Sequence, residues 1–310
     1  MKLFKEIPGK GQFKNPAVTI GNFDGVHMGH QEILSTLLKK AEEINGDAVV
    51  ITFQSHPRKI INPQLLSGII TTSAEKVKAI STYGINNIIL LDFDRDMADM
   101  DALEFYNKII VNGIGAKEIV IGYDHCFGKD RKGNMEFLER MSGTTGIGIT
   151  RVEEVEVDSK SVSSTWLRKV IGDGNMKAAK KIIARPYSIM GKVIKGESRG
   201  RELGFPTANI LPNDAEKIIP GDGVYAVTVI LENGNKARGM LNIGDNPTFD
   251  LNKKNIEVNI FDFNDDIYGS LITIEFHERV RDEIKFESSR GLVQQLKKDK
   301  ISIQKMLDNL

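Results

Sequence analysis

The string Gly21-Asn22-Phe23-Asp24-Gly25-Val26-His27-Met28-Gly29-His30 gathers glycines, a carboxylate and two imidazoles into one short stretch. It follows the β-branched run Ala17-Val18-Thr19-Ile20 and leads into a helical pattern that sets Ile33, Leu34, Leu37, Leu38, Ala41 and Ile44 on one face. Where a strand ends and a helix begins, unpaired N–H groups and the positive end of the helix dipole face whatever lies above, and a phosphate suits both. Gly21, Gly25 and Gly29 remove side chains where the backbone must come close to a ligand. His27 and His30 are three apart, so one helical turn places both where they can donate to phosphate oxygens. Preorganised donors of this kind stabilise the charge that builds on an α-phosphate during nucleotidyl transfer. The plainer alternative is a turn at Asp24-Gly25 with two surface histidines, and the length of the combined string speaks against it.

Three further strings carry chemistry. In Ser161-Val162-Ser163-Ser164-Thr165-Trp166-Leu167-Arg168, hydroxyls at a helix start with Arg168 one turn inside supply short donors and a permanent cation for a triphosphate. Alone, the same residues read as a Ser/Thr N-cap. Farther on, Gly196-Glu197-Ser198-Arg199-Gly200-Arg201-Glu202-Leu203-Gly204-Phe205-Pro206-Thr207-Ala208-Asn209 reads as a loop that folds over phosphate, or else as a basic hairpin and turn. The hydroxyl of Thr207 and the amide oxygen of Asn209 are hard ligands suited to Mg²⁺. In Ile256-Glu257-Val258-Asn259-Ile260, strand alternation puts Glu257 and Asn259 on one face and the apolar residues on the other. Without the preceding loop, Glu257 would be an ordinary solvent-facing carboxylate.

The elements that must position these residues fall into two grammars. Up to about residue 182, apolar runs at Ala48 to Phe53, Ile88 to Leu91 and Ile119 to Ile121 alternate with helical stretches at Ala74 to Tyr83 and Ala102 to Val111, which implies an α/β domain with a parallel sheet covered on both faces. Beyond Arg185-Pro186, strand patterns at Ile189 to Ile194, Val224 to Leu231, Arg238 to Ile243, Ile256 to Phe263 and Leu271 to Val280 are joined by Gly- and Asn-rich turns. That predicts a small antiparallel β-barrel over 183–310, with a final helix from about Ser289 to flank it. A chain of 310 residues accommodates two such domains.

Lys plus Arg (42) balances Asp plus Glu (42), so no global cationic field gathers nucleic acid or an anionic membrane. The single cysteine, Cys126, has no internal disulfide partner, and neither a signal-peptide core nor an apolar stretch of membrane-spanning length is present. The expectation is a cytoplasmic enzyme with small-molecule substrates, its oligomeric state left open.

These strings resemble a known family. Gly-x-Phe-Asp-Gly-x-His-x-Gly-His with the later Ser-Ser-Thr-x-x-Arg is similar to the Rossmann-like adenylyltransferase module of the bacterial bifunctional riboflavin kinases and FAD synthetases. Thr52-Phe53-Gln54-Ser55-His56-Pro57 and Ile121-Gly122-Tyr123-Asp124-His125-Cys126-Phe127-Gly128 resemble its flavin loops. The resemblance implies that His27 and His30 stabilise the ATP phosphates and that Ser164, Thr165 and Arg168 clamp the triphosphate. It implies that Gly21, Phe23, Asp24, Gly25 and Gly29 form the nucleotide loop, and that His56, Pro57, Asp124 and Phe127 lie near FMN. The second loop resembles the Gly-x-Pro-Thr-Ala-Asn signature of riboflavin kinases, which implies that Gly196, Arg201, Gly204, Pro206, Thr207 and Asn209 bind ATP, that Thr207 and Asn209 hold Mg²⁺, and that Glu257 is the general base toward the ribityl hydroxyl. Asn242-Ile243-Gly244, Pro247-Thr248-Phe249 and Ile267-Tyr268-Gly269 match as scaffold. Gln54 stands where this family usually has Asp, His125-Cys126 depart within the flavin loop, and Asn259 replaces a common His. Mg²⁺ is expected to assist adenylyl transfer too, with no ligand assigned. The competing reading is a nucleotidyltransferase for a different phosphate monoester, its barrel a non-catalytic flavin-binding module.

Overall fold

The apolar runs of the N-terminal half form β1 (Lys2–Phe4), β2 (Ala17–Ile20), β3 (Ala48–Phe53), β4 (Asn87–Leu91), β5 (Glu118–Gly122) and β6 (Gly148–Val152) in a computed structural model. That structure describes residues 1–62, 64, 68–195, 200, 203–245 and 254–309. All six strands pair in parallel, in the order β1-β4-β3-β2-β5-β6. Parallel strands need crossovers, and the helices that make them cover both faces, which is why the strands read as continuous apolar runs.

One face packs α1 (Met28–Glu43) and α3 (Ser73–Thr82); the other packs α5 (Ala102–Phe105), its continuation and α6 (Met135–Thr145), while the short α2 (Pro57–Ile61) and α4 (Arg95–Asp99) lie in the connections. Ala17 and Val50 meet Leu34, Leu37, Ala41, Val77 and Ile80, while Val18, Ile20, Val49 and Ile51 meet Phe105, Tyr106, Ile110, Phe137 and Leu138. Each buried Val, Leu, Ile or Phe among them contributes about 1.5–3 kcal/mol of transfer free energy. The expected helix over 102–111 differs in form: after Phe105 it widens into a π-helix, Tyr106–Ile114, which Gly115 ends in the left-handed region with its N–H on the Ile110 carbonyl. Strands β1 and β6, at the two edges, carry too few residues in alternation to stand out in the sequence.

This unit spans Met1–Ser164 by its contacts, and Thr165–Leu310 forms the other. The hairpin of β7 (Glu156–Val157) and β8 (Lys160–Ser161) closes the first, and α7 (Ser164–Gly172) begins at the division.

In the second unit, α8 (Met176–Ile183) precedes β9 (Tyr187–Ile194), β10 (Ala208–Pro212), β11 (Gly223–Ile230), β12 (Lys236–Asp245), β13 (Lys254–Ile260), β14 (Leu271–Arg281) and α9 (Ser289–Asp308). The strands close a six-stranded antiparallel barrel in the order β10-β13-β12-β11-β14-β9. Strand β9 alternates strictly, with Tyr187, Ile189 and Val193 inward and Met190, Lys192 and Ile194 outward. The terminal helix lays Ile303 and Leu307 on Val224, Ala226 and Met240, and the buried Asp299 on it accepts from Arg281 (2.9 Å) and Gln295 (2.8 Å). Strand β10 is the one the sequence pattern did not reveal, because it is short and bears Asn209 and Pro212, both poor strand formers.

Candidate active sites

In the sheet, the chain leaves β2 toward β3 and β4 on one side and later fills β5 and β6 on the other. The crevice outside the carboxyl ends of β2 and β5 is therefore the switch point at which open α/β sheets bind ligands. The loops that leave β2, β3 and β5 all start at that edge, and they carry Gly21 to His30, His56-Pro57 and Asp124 to Phe127.

His27 does not sit on the helix beside His30, as simple three-residue spacing suggests. It is the N-cap of α1, with extended backbone and its Nδ1 accepting the His30 N–H at 3.3 Å. An accepting Nδ1 places the proton of the neutral ring on Nε2. The two rings stack with centroids 3.6 Å apart and planes 17° apart, and Phe23 lies 5.0 Å from His30 on a tilted approach. Burial, then the charges of His27 and Lys76, hold the His30 imidazole well below the usual histidine range, so it is neutral at physiological pH. Its Nδ1 is buried and without a hydrogen-bond partner, as is the Oδ1 of Asn22.

The glycines separate by cause. Gly25 has φ +87°, and at Gly21 a Cβ would stand 3.0 Å from the Phe23 ring, so backbone and packing account for both. At Gly29 a Cβ would meet only ordinary contacts at 3.4 Å to His27, so the protein itself does not demand glycine there.

Asp24 is buried and turned into the protein: its carboxylate accepts from the N–H of Ile70 (3.0 Å), the N–H of Thr71 (2.8 Å) and the Thr71 hydroxyl (3.0 Å). Thr71 in turn accepts the Gly25 N–H at 3.0 Å, which ties the loop after β2 to the segment ahead of α3. The Ser164 hydroxyl donates to the Asp24 carbonyl at 2.8 Å. Thr165 and Arg168 follow on α7 in the second unit; Arg168, four residues after Ser164 and so on the same helix face, is buried.

After β3, His56 caps α2 by accepting the Arg58 N–H at 3.1 Å, with Pro57 at the first helical position. After β5, Asp124 is exposed, while Phe127 packs among Phe105 (5.1 Å), Phe137 (5.9 Å) and His125 (6.0 Å). Burial brings the His125 imidazole down to about 4, and its Nε2 has no partner. Gly133 passes so close to Phe127 that a Cβ would fall 2.7 Å from the ring, which pins that loop.

On the barrel, Asn209 and Glu257 are directly opposed across β10 and β13, so both side chains leave the same side of the wall. The Thr207 hydroxyl donates to Glu257 Oε2 at 3.3 Å, and the Asn255 amide donates to Oε1 at 2.6 Å. Asn259 donates to the Pro206 carbonyl at 2.6 Å and so anchors the turn that carries Gly204 (φ +79°) and Thr207. Gly196, Arg201 and Pro247-Thr248-Phe249 lie outside the described residues.

Sequence reasoning missed Lys76 and Asn255. Lys76 left a trace, since it shares the apolar stripe of α3 with Val77 and Ile80, where a solvated lysine does not belong. Asn255 left none, because nothing local distinguishes an asparagine that reaches along its own strand.

Histidines stacked at a switch point and a carboxylate held beside a hydroxyl on a barrel wall are arrangements that suit group transfer. The comparisons agree half by half. Residues 10–166 match the FAD synthetase family model and residues 183–307 the riboflavin kinase model. The chain is 36% identical to the bifunctional riboflavin kinase/FMN adenylyltransferase of Haemophilus influenzae over 91% of each chain, and 35% identical to that of Bacillus subtilis over 94% of this chain and 93% of the relative. A solved structure described as a macrolide-efflux protein from Streptococcus pneumoniae shares the fold over 98% of both chains, at TM-score 0.88 and 36% identity. No described helix of the present chain is long and apolar enough to cross a membrane. The chain belongs to the bifunctional riboflavin kinase/FMN adenylyltransferase family, transferases with both activities on one polypeptide.

Proposed function

We propose that the barrel phosphorylates riboflavin to FMN with ATP and that the α/β domain joins AMP to FMN, releasing pyrophosphate and yielding FAD. The observation that carries this reading is that the chemistry-bearing residues gather at two places rather than one, each with its own phosphate-type donors. The functional division we propose is 1–182 and 183–310, with a cytoplasmic location.

In the kinase step the ribityl 5′-hydroxyl oxygen forms a bond to the γ-phosphorus as the bond to the β,γ-bridging oxygen breaks, and ADP leaves. Glu257 takes the hydroxyl proton, for which it needs only to be within hydrogen-bond reach. Asn255 and Thr207 orient its two oxygens. The Thr207 hydroxyl, the Asn209 amide oxygen and phosphate oxygens form an all-oxygen set that fits Mg²⁺, which would neutralise phosphate charge there. Gly196, Arg201, Gly204 and Pro206 bind ATP in this reading.

In the adenylyl transfer an FMN phosphate oxygen attacks the α-phosphorus and pyrophosphate departs. The His27 Nε2–H, the His30 ring and the amides at the start of α1 receive the charge that builds there, and Gly29 lets the phosphate come close. Ser164, Thr165 and Arg168 clamp the leaving phosphates, while His56, Pro57, Asp124 and Phe127 border the flavin. Neither step calls for a covalent protein intermediate.

The test is a time course of purified protein with riboflavin, ATP and Mg²⁺, with the flavins separated by chromatography. FMN that rises and then gives way to FAD is expected. Turnover of another phosphate monoester with none of FMN would overturn the acceptor, and omission of Mg²⁺ without loss of rate would overturn the metal.

A further inference from the structure

Lys76 is 4% exposed, yet its ammonium is met by neutral groups: it donates to the Asn22 carbonyl at 3.0 Å and to the Phe53 carbonyl at 2.5 Å. Among the described residues no carboxylate comes within ion-pair distance of it, and its third N–H finds no acceptor. The remaining residues of this unit, Pro63, Leu65, Leu66 and Ser67, include no acid. Lysine is almost never fully buried unless paired, because an ammonium taken from water is destabilising until an anion answers it. The location says which anion. Asn22 opens the nucleotide loop and Phe53 ends β3, so the charge lies under the edge at which β2 and β3 deliver their loops. Asn22 Oδ1 and His30 Nδ1, both buried and unsatisfied, belong to the same loop and to the helix it opens.

We propose that Lys76 is a positioning residue for adenylyl transfer: it fastens the Gly21 to His30 loop to the end of β3 and supplies a fixed positive charge beneath the phosphates of bound ATP. The inference rests on the assignment of that loop to the nucleotide. A fastener alone would not need charge, since a neutral donor holds two carbonyls without the desolvation of an ammonium. Burial brings Lys76 down to about 8, with the charge of Asp24 countering it. Around it, Asp24 comes from the loop after β2 and His30 from α1, the latter neutral across the range concerned. Above pH 8 the neutral amine keeps N–H donors for both carbonyls but has lost its charge. Fastening and charge therefore separate on the wild-type protein.

The experiment measures kcat/KM for ATP in FMN adenylylation between pH 6.5 and 9.5, with riboflavin phosphorylation by the same protein as the internal reference. The expected result is a basic limb centred near pH 8 in adenylylation only, and its absence in Lys76→Met, whose kcat/KM at pH 7 falls on the order of 10- to 100-fold. Lys76→Arg should recover most of that loss. A flat wild-type profile through pH 9, an unchanged limb in Lys76→Met, or a Lys76→Met rate within threefold of wild type would each overturn the proposal. The wild-type profile decides even if Lys76→Met does not fold. Failure of both FMN adenylylation and ATP binding in the wild type would instead sink the underlying assignment of the loop.

Discussion

The two centres are built on opposite principles. At the switch point, His30 Nδ1 and Asn22 Oδ1 are buried without partners and Lys76 forms no direct ion pair with a described carboxylate, so the site stands ready at the expense of stability. On the barrel wall, both oxygens of Glu257 are already taken by Thr207 and Asn255, and Asn259 is taken by Pro206. At the switch point the unsatisfied atoms belong to side chains held in place by packing, so their polarity waits for a ligand. A strand face supplies mobile side chains that satisfy each other at rest and must exchange partners when substrate arrives. The first kind of site should lose activity without losing stability when trimmed, and the second should lose both.

The largest expected effect is that of Glu257→Gln, which removes the proton acceptor and should cut riboflavin phosphorylation by roughly 10²- to 10⁴-fold. FAD formation from supplied FMN should persist; if it falls equally, the centres are not separate. Next, His30→Ala should cost adenylyl transfer roughly 10²- to 10³-fold, the range for a lost charge-stabilising donor. Its melting temperature should change little, because removal of an unsatisfied buried nitrogen offsets the lost stacking on His27 and Phe23. A clear fall in melting temperature would show that the ring is held for stability and not for a ligand. Asn259→Ala sharpens it from the other side. Kinase turnover should drop by about tenfold together with about 1–3 kcal/mol of stability, because the Pro206 carbonyl loses its donor. Both can be read from one preparation by steady-state assay and denaturant titration. The smallest effect belongs to Ser288→Ala, which removes the side-chain cap of α9 on the Gly291 N–H at 3.2 Å. It should lower stability by about 1 kcal/mol and leave adenylyl transfer alone, as a thermal melt and an FMN assay would show.

The α/β grammar, the five strands between Tyr187 and Arg281 other than β10 and the terminal helix were legible because each is a local periodicity that burial on one or two faces imposes on its own residues. The widening of the helix at Tyr106 was not, since a π-helix and an α-helix share the same apolar spacing over so short a run. The segment Gly21 to His30 stood out too: its glycines and histidines lie in one stretch between a strand and a helix, an arrangement that suits a phosphate by backbone geometry.

The succession of elements and the two families of motif are thus written in the local sequence. Tertiary structure alone decided which polar groups those motifs meet. That Asp24 would be taken up by Ile70 and Thr71, that Asn209 would face Glu257, and that Lys76 would be sealed beneath the loop all depend on segments far apart in the chain. Burial and pairing arise only when those segments pack, and no local pattern records the partner that will arrive from the other side of the sheet.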